Sequence, residues 1–337
     1  MKHNYKWISF ATLAAFLVRG SFWEVSVTAG KSQEPAVRIE PRQAPSGPAL
    51  GSANRQTPTI RINTDLVIIP VMVTDRNDRA VTGLERDHFR LWEDKVEQTI
   101  THFSAEDVPV SIVFAFDVSG SMARKLGLAR LAVDQFLDKA NPEDEFALVS
   151  FDDQVHLVQP FTINHEEIQS RMLLLAAKGR TALLDAIVLS MDQMKHARHS
   201  RKVILIVSDG GDNSSRYSLK DVRTRAREAD VQIYSIGIQD PMWIRNQVIE
   251  QLTGAALLSD MASQTGGRLY EIEDANQLPD VTARIGIALR NQYVLGYVPP
   301  ADKRDGKYHR VQVKVERPAG VAKLRATFRS GYTASSN

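Results

Sequence analysis

The chain has 337 residues, long enough for one large domain, a smaller companion and a substantial buried core. Its composition is ordinary for a globular protein, 43% hydrophobic and 24% charged, and a formal charge of +2 argues against nucleic acid or an acidic polymer as partner. The absence of cysteine excludes disulfides and a lipid anchor on an N-terminal cysteine, so export has to be argued from the leader alone.

Met1-Lys-His-Asn-Tyr-Lys6 is a basic start, and Trp7–Val18 is an apolar stretch of twelve residues. Val27-Thr28-Ala29 supplies small residues for a cut, so residues 1–29 read as a signal peptide removed near Gly30. A membrane-spanning helix needs roughly 20 apolar residues, and Arg19 and Glu24 interrupt any longer version. The expected location is secreted or periplasmic, with membrane attachment only if the segment stays uncleaved. Residues 30–58 carry Pro35, Pro41, Pro45 and Pro48 without periodicity, the composition of a disordered linker.

Residues 59–107 turn to a β pattern, with strands at Leu66–Val73, Phe89–Trp92 and Thr99–Phe103 and turns at Asp75–Asp78 and Glu93–Val96. This segment is too small to bury two sheet faces by itself. From 108 to 290, strands at Val110–Phe116, Phe146–Phe151, Val155–Pro160, Val203–Ser208, Val231–Gly237 and Arg268–Glu271 alternate with helical patterns. Among the helices, one begins near Leu126 and stops at Asn141-Pro142, and others lie at 166–177, 182–196, 218–229 and 276–290. The basic run Lys195–Lys202 reads as a solvated helix end. Alternation of this kind predicts right-handed crossovers and an α/β fold, a doubly wound, mostly parallel sheet covered on both faces. Residues 291–332 return to β at Tyr293–Val298, Tyr308–Val315 and Ala322–Phe328. The two β segments are expected to pair into one sandwich with the α/β domain inserted between them.

One stretch carries the chemistry. Ser111-Ile-Val-Phe-Ala-Phe-Asp117 is an apolar run of strand length ending on a carboxylate, and Ser119 and Ser121 follow at a spacing of two. Lys178-Gly-Arg-Thr-Ala-Leu-Leu-Asp185 places Thr181 before a helix, and Ile204–Ser208 ends on Asp209 and two glycines. Ligands of open α/β sheets bind beyond the carboxyl ends of the strands. Each piece alone has a plain reading: Asp-x-Ser-x-Ser or Thr181 as a helix cap, Asp209-Gly-Gly as a turn. Together they offer two carboxylates and three hydroxyls on three loops, a set suited to a hard cation that takes oxygen ligands. Asp152 and Asp153 stand beyond another strand end as rim candidates or as a solvated turn, and Asp185 suits the first turn of its helix.

Asp117-Val-Ser-Gly-Ser121, Thr181 and Ser208-Asp-Gly210 resemble the metal-ion-dependent adhesion site of von Willebrand factor type A domains, a likeness covering about 108–290. Gly179–Ala186 and Ser208–Ser214 are similar to the bacterial exported branch. That branch also has a leading β segment similar to Val81–Leu84, Asp87–Phe89 and Glu93-Asp94, and a tail similar to Tyr293–Tyr297. The resemblance implies that Ser119 and Ser121 ligate magnesium (or manganese or calcium) directly, while Thr181, Asp117 and Asp209 bind directly or through water. The last coordination position is then left for a carboxylate of a protein partner, which implies a metal-dependent adhesion module. Arg180 stands where that family often has a second glycine, and Lys95 replaces a common turn glycine.

Enzyme motifs are missing from the sequence: no Gly-x-Gly-x-x-Gly, Gly-Lys-Ser/Thr, His-Glu-x-x-His or Gly-x-Ser-x-Gly occurs in the required context. A metal-dependent hydrolase or phosphatase is the nearest enzyme reading. Phosphatases of that type use a second aspartate where this chain has Ser119, and no histidine falls in the candidate loops. The expectation is a binding module and not an enzyme; a structural domain with an idle site is the remaining reading.

Overall fold

The computed structural model describes residues 66–239, 248–317 and 323–334. The signal peptide, the linker and the expected cut near Gly30 lie outside the described residues. Four strands come first: β1 (Val67–Thr74), β2 (Phe89–Glu93), β3 (Val96–Gln98) and β4 (His102–Ser104). Next are β5 (Val110–Asp117), α1 (Leu126–Leu137), β6 (Glu145–Phe151), β7 (Val155–Thr162), α2 (His165–Leu173) and α3 (Leu183–Gln193). They are followed by β8 (Arg201–Ser208), α4 (Leu219–Glu228), β9 (Gln232–Ile238), α5 (Val248–Thr265), β10 (Leu269–Ile272) and α6 (Leu278–Arg290). The chain then returns to strands: β11 (Gln292–Tyr297), β12 (Tyr308–Val315), β13 (Arg325–Phe328) and β14 (Gly331–Thr333).

Every residue of β5, β6 and β9 is buried, which requires cover on both faces of their sheet. The six strands run in the order β10-β9-β8-β5-β6-β7. All neighbours pair in parallel except β6 and the edge strand β7. Alternate side chains point to opposite faces and meet different helices. Ile112, Phe114, Phe116 and Leu205 pack with Val133 and Phe136 of α1 and Ile285 of α6. Val113, Ala115, Ile204 and Ile206 pack with Ile187 of α3, Val222 of α4 and Leu258 of α5. The doubly wound fold read from the sequence is therefore the observed one. Helix α1 ends earlier than its apolar pattern suggests, because Lys139 and Ala140 donate to Phe136 and Leu137 in i→i−3 turns.

The flanking segments build two antiparallel four-stranded sheets, β13-β1-β11-β4 and β14-β12-β2-β3. Each sheet takes two strands from either end of the chain. Of the strand expected at Thr99–Phe103 only His102 and Phe103 are extended, in β4, whereas β3 starts inside the turn expected at Glu93–Val96; β14 has only three residues, too few for a pattern of its own. Pairing with β12, rather than propensity, sets β14 in place. Strand β1 serves two cores at once, as the two-residue period of a strand permits. Ile69, Val71 and Val73 face the sandwich interior with Leu91, Tyr293 and Leu295, while Met72 joins the core of the α/β sheet. Gln292 of β11 reinforces that seam by donating to Gln232 Oε1 (3.0 Å) and Tyr234 Oη (3.2 Å) of β9.

The β2–β3 hairpin turns on Asp94 and Lys95, at φ 46° and 73°, the pair of left-handed residues that a two-residue hairpin of this hand demands. Asp94 repays its conformation by accepting from the backbone of Arg310 (3.0 Å), from Lys303 Nζ (3.1 Å) and from His309 Nδ1 (2.8 Å). Lys95 carries a Cβ where glycine would carry none. Lys95→Gly should therefore stabilise the protein by about 1 kcal/mol, measured by urea denaturation; an unchanged or lower midpoint would contradict the strain.

His309 is buried with Nδ1 against Asp94 and Nε2 on Asp305 (3.0 Å). Burial alone would lower its pKa, but the hydrogen bonds to Asp94 and Asp305 outweigh that and raise it. Both acids are held low, Asp305 to about 2. A histidine with a raised folded pKa contributes stability that is complete below its unfolded value, about 6.5, and is lost as pH climbs through the folded value. The melting temperature should fall between pH 6 and pH 8.5 in the parent, and His309→Gln should flatten that slope. A slope unaffected by the substitution would refute this assignment.

Candidate functional site

The switch in strand order lies between β5 and β8, which pair in parallel with Phe116 opposite Val207. That register carries Asp117 level with Ser208 and puts Asp209 at the same edge, where an open α/β sheet leaves its crevice. Ser208 Oγ donates to Asp117 Oδ2 at 2.5 Å and accepts from Gly210 N at 2.9 Å. The other Asp117 oxygen accepts from Ser119 N at 2.8 Å, bending the chain so that the Ser119 and Ser121 hydroxyls lie 3.1 Å apart. No helix-capping bond comes from Ser119, and the residue preceding α1 is Lys125, also without a side-chain cap. The plain helix-cap reading of Asp-x-Ser-x-Ser therefore does not describe this loop.

A second loop is laced onto the first. Gly120 N donates to Gly179 O (3.0 Å), Lys178 N to Val118 O (2.8 Å) and Ala182 N to Asp152 O (2.7 Å). Gly179 sits at φ 70°, and a Cβ there would overlap Asp153, so the close approach of the two loops depends on it. Helix α3 starts later than the sequence suggests, with Ala182 as its uncapped first flank. Thr181 thus lies in the loop, buried, with its backbone fixed by Asn213 and Ser214. Its Oγ1 faces the third loop: a Cβ on Gly211 would stand 3.9 Å from it and 3.8 Å from Asp209 Oδ1. Gly210, at φ 89°, lies so close to Gly254 of α5 that neither can carry a side chain without displacement. This contact fixes where the Asp209 loop turns.

Asp117, Ser119, Ser121, Thr181 and Asp209 are thereby brought to one sheet edge. Asp117 is fully buried and Ser119 and Thr181 nearly so, whereas Ser121 is exposed. Burial first, and then the like charge of Asp209, push the Asp117 pKa up to about 7 against the opposing bonds from Ser208 and Ser119. Among the described residues no three His, Cys, Asp or Glu side chains gather into a cluster able to hold a metal; the donors here are two acids and three hydroxyls. This oxygen set fits magnesium, which binds through one or two carboxylates and keeps several waters.

Lys125 was not among the residues expected at the site, and Ser208, quoted in the motif, had been given no role of its own. Lys125 Nζ donates to Asp209 Oδ2 at 2.9 Å, and both side chains are about nine-tenths buried. Its signal was faint, a lysine four residues past Ser121 and immediately before the first residue of α1. Ser208 passes for the last residue of a strand, yet it bonds Asp117. Arg180 turns to the rim and donates to Asn213 O. Asp152 is buried and ties its own turn by accepting from Gln154 N (2.8 Å). Asp185 holds the third loop, accepting from the backbone of Arg216 (2.8 Å) and Tyr217 (3.0 Å).

Residues 112–211 match the profile of the von Willebrand factor type A domain. An inter-alpha-trypsin inhibitor heavy chain of Bos taurus is 26% identical over 221 residues, 58% of this chain and 23% of that protein. An uncharacterized protein of Borreliella burgdorferi is 22% identical over 53% of this chain and 57% of its own length. The match thus spans about a quarter of the inhibitor heavy chain. Among solved structures, von Willebrand factor type A from Catenulispora acidiphila aligns over 82% of this chain and 75% of its own, at 14% identity and a TM-score of 0.47. BatB from Bacteroides thetaiotaomicron aligns over 52% and 97%, at 16% identity and a TM-score of 0.43. Residues 112–211 thus carry a von Willebrand factor type A domain.

Proposed function

We propose that this domain is a protein-binding module of an exported protein, and that it takes an acidic group of its partner through a divalent cation, magnesium or else manganese or calcium. Asp117, Ser119, Ser121, Thr181 and Asp209 would hold the ion. The observation that carries this reading is the meeting of a buried carboxylate with a second one at the ends of two adjacent strands, ringed by hydroxyls. When bound, the cation supplies an electrophilic centre for a carboxylate. Two carboxylates neutralise a divalent ion, and Lys125 adds a positive charge in contact with Asp209. The filled site is then positive overall, and Lys178 and Arg180 are exposed beside it. An acidic partner gains from that field, most of all at low salt. Binding rather than turnover is favoured because Ser119 replaces the second aspartate of a phosphoryl-transfer site, and no histidine lies on the three loops.

Calorimetry tests the cation directly. Magnesium should bind the parent protein, and Asp117→Ala, Ser119→Ala or Asp209→Ala should each weaken it at least tenfold with unchanged far-UV circular dichroism. The parent's melting temperature should rise with magnesium while the variants' should not. Failure of any divalent ion to bind up to millimolar concentration would defeat the proposal.

Lys125 gives a second, opposite-signed test. Its ammonium competes for Asp209, so Lys125→Met should bind magnesium more tightly, by roughly three- to tenfold for the removal of one screened like charge. Weaker binding in the folded variant would show that Lys125 supports the site instead.

A further inference from the structure

Beside α6, where the sandwich meets the α/β domain, lies a cavity of about 520 Å³, within the range of small-molecule sites. Asp280, Arg284, Ile287 and Asn291 of α6 line it, and their spacings of four, three and four make one face of the helix. The opposite face, with Val281, Ile285 and Leu289, fills the core of the α/β sheet. Ala283 also lines the cavity and is short enough to leave room, and Ile287 is left 43% exposed.

The facing wall is the outer side of β1 and β13. Val71 and Val73 point into the sandwich, so Met72 and Thr74 point the other way, into the cavity wall. Thr327 of β13 lies opposite Met72, and Arg325 lies opposite Thr74. Directly opposed residues share a face of the sheet, which puts Arg325 on the cavity side, two residues from Thr327 of the lining.

Charge here is out of balance by one. Arg79, Arg268 and Arg284 are each paired with an acid, Asp75, Asp78 and Asp280, at 2.7 Å. Arg268 lies at the lip: 39% of its side chain is accessible, and its guanidinium is 5.6 Å from the ring of Tyr270, another lining residue. Arg325 is exposed and has neither hydrogen bond nor ion pair among the described residues. The hydrogen bond from Arg268 holds the Asp78 carboxyl below its ordinary pKa, and Arg325 and Arg284 add to that through space. Three cations therefore converge on the Asp78 end of the cavity, and Arg325 is the one without a counter-ion of its own. The floor between them is apolar or neutral, with Met72, Tyr234 and Ala288 buried.

We infer that this cavity binds an apolar molecule carrying one carboxylate, its body between Ile287 and Met72 and its acidic group at Arg325. The walls belong to both the sandwich and the α/β domain, so an occupant bridges the two. None of the five residues of the metal-binding edge lines the cavity, and the two sites are independent.

Calorimetry of the full chain in chelator tests this, with 4-phenylbutyrate, 4-phenyl-1-butanol and 4-phenylbutylammonium as probes alike in shape and different in charge. Chelator removes any carboxylate site at the metal-binding edge. The acid should bind roughly tenfold more tightly than the alcohol, the worth of one charge-assisted hydrogen bond, and the amine no more tightly than the alcohol. Arg325→Gln should lower the acid to the alcohol's affinity and leave the alcohol unchanged, and Arg325→Glu should favour the amine over the acid. Ala283→Phe, which fills the cavity from α6 and leaves Arg325 in place, should weaken acid and alcohol alike while circular dichroism stays unchanged. The proposal is overturned if the acid does not bind at millimolar concentration or if the alcohol binds as tightly. It is overturned equally if folded Arg325→Gln keeps the preference for the acid, or if folded Ala283→Phe keeps the parent's affinity.

Discussion

A carboxylate with no access to water, set beside a second carboxylate, is the constraint from which the domain's active edge follows. Asp117 ends the central strand of a sheet buried on both faces, and Asp209 follows the neighbouring strand. In a medium of low polarity such a pair repels itself, and the charged form of the buried member is disfavoured. The surrounding structure answers with donors: the Ser208 hydroxyl, the Ser119 amide and the Lys125 ammonium. These relieve the pair only in part, since the Asp117 pKa still lies well above the ordinary value. Under the proposed function, a divalent cation would supply the charge that matches the remainder.

The three loops are held by backbone as much as by side chains. Gly120 to Gly179, Lys178 to Val118 and Asn213 to Thr181 are main-chain bonds, so the hydroxyls are positioned by a frame that does not depend on them. Removing a ligand hydroxyl should accordingly leave the fold intact. The glycine contact between Gly210 and Gly254 extends the frame to α5, and Asp185 fastens the third loop from beneath. At the other end of the sheet, β1 shares its two faces between two cores and so ties the sandwich to the α/β domain.

The fold was legible wherever burial was total. Runs such as Ile112–Phe116 and Ile204–Val207 admit little besides two-sided strands, and their alternation with helical patterns gives the winding. Short elements were not legible: β14 exists because β12 offers it a partner, and the end of α1 is set by local turns rather than by its apolar spacing. At the site, the spacing of Asp117, Ser119 and Ser121 and the glycines after Asp209 marked the positions that the sheet brings together. Lys125 was hidden because a lysine at the start of a helix has an ordinary surface reading, and only tertiary structure turns it onto Asp209.

The central claim is that the edge formed by β5, β8 and the Thr181 loop seats a divalent cation. Anomalous diffraction from crystals grown with manganese tests it most directly. A single strong peak is expected, enclosed by Asp117, Ser119, Ser121, Thr181 and Asp209, with Lys125 drawn away from Asp209. Crystals saturated with manganese that show no peak there, with Lys125 still on Asp209, would contradict it.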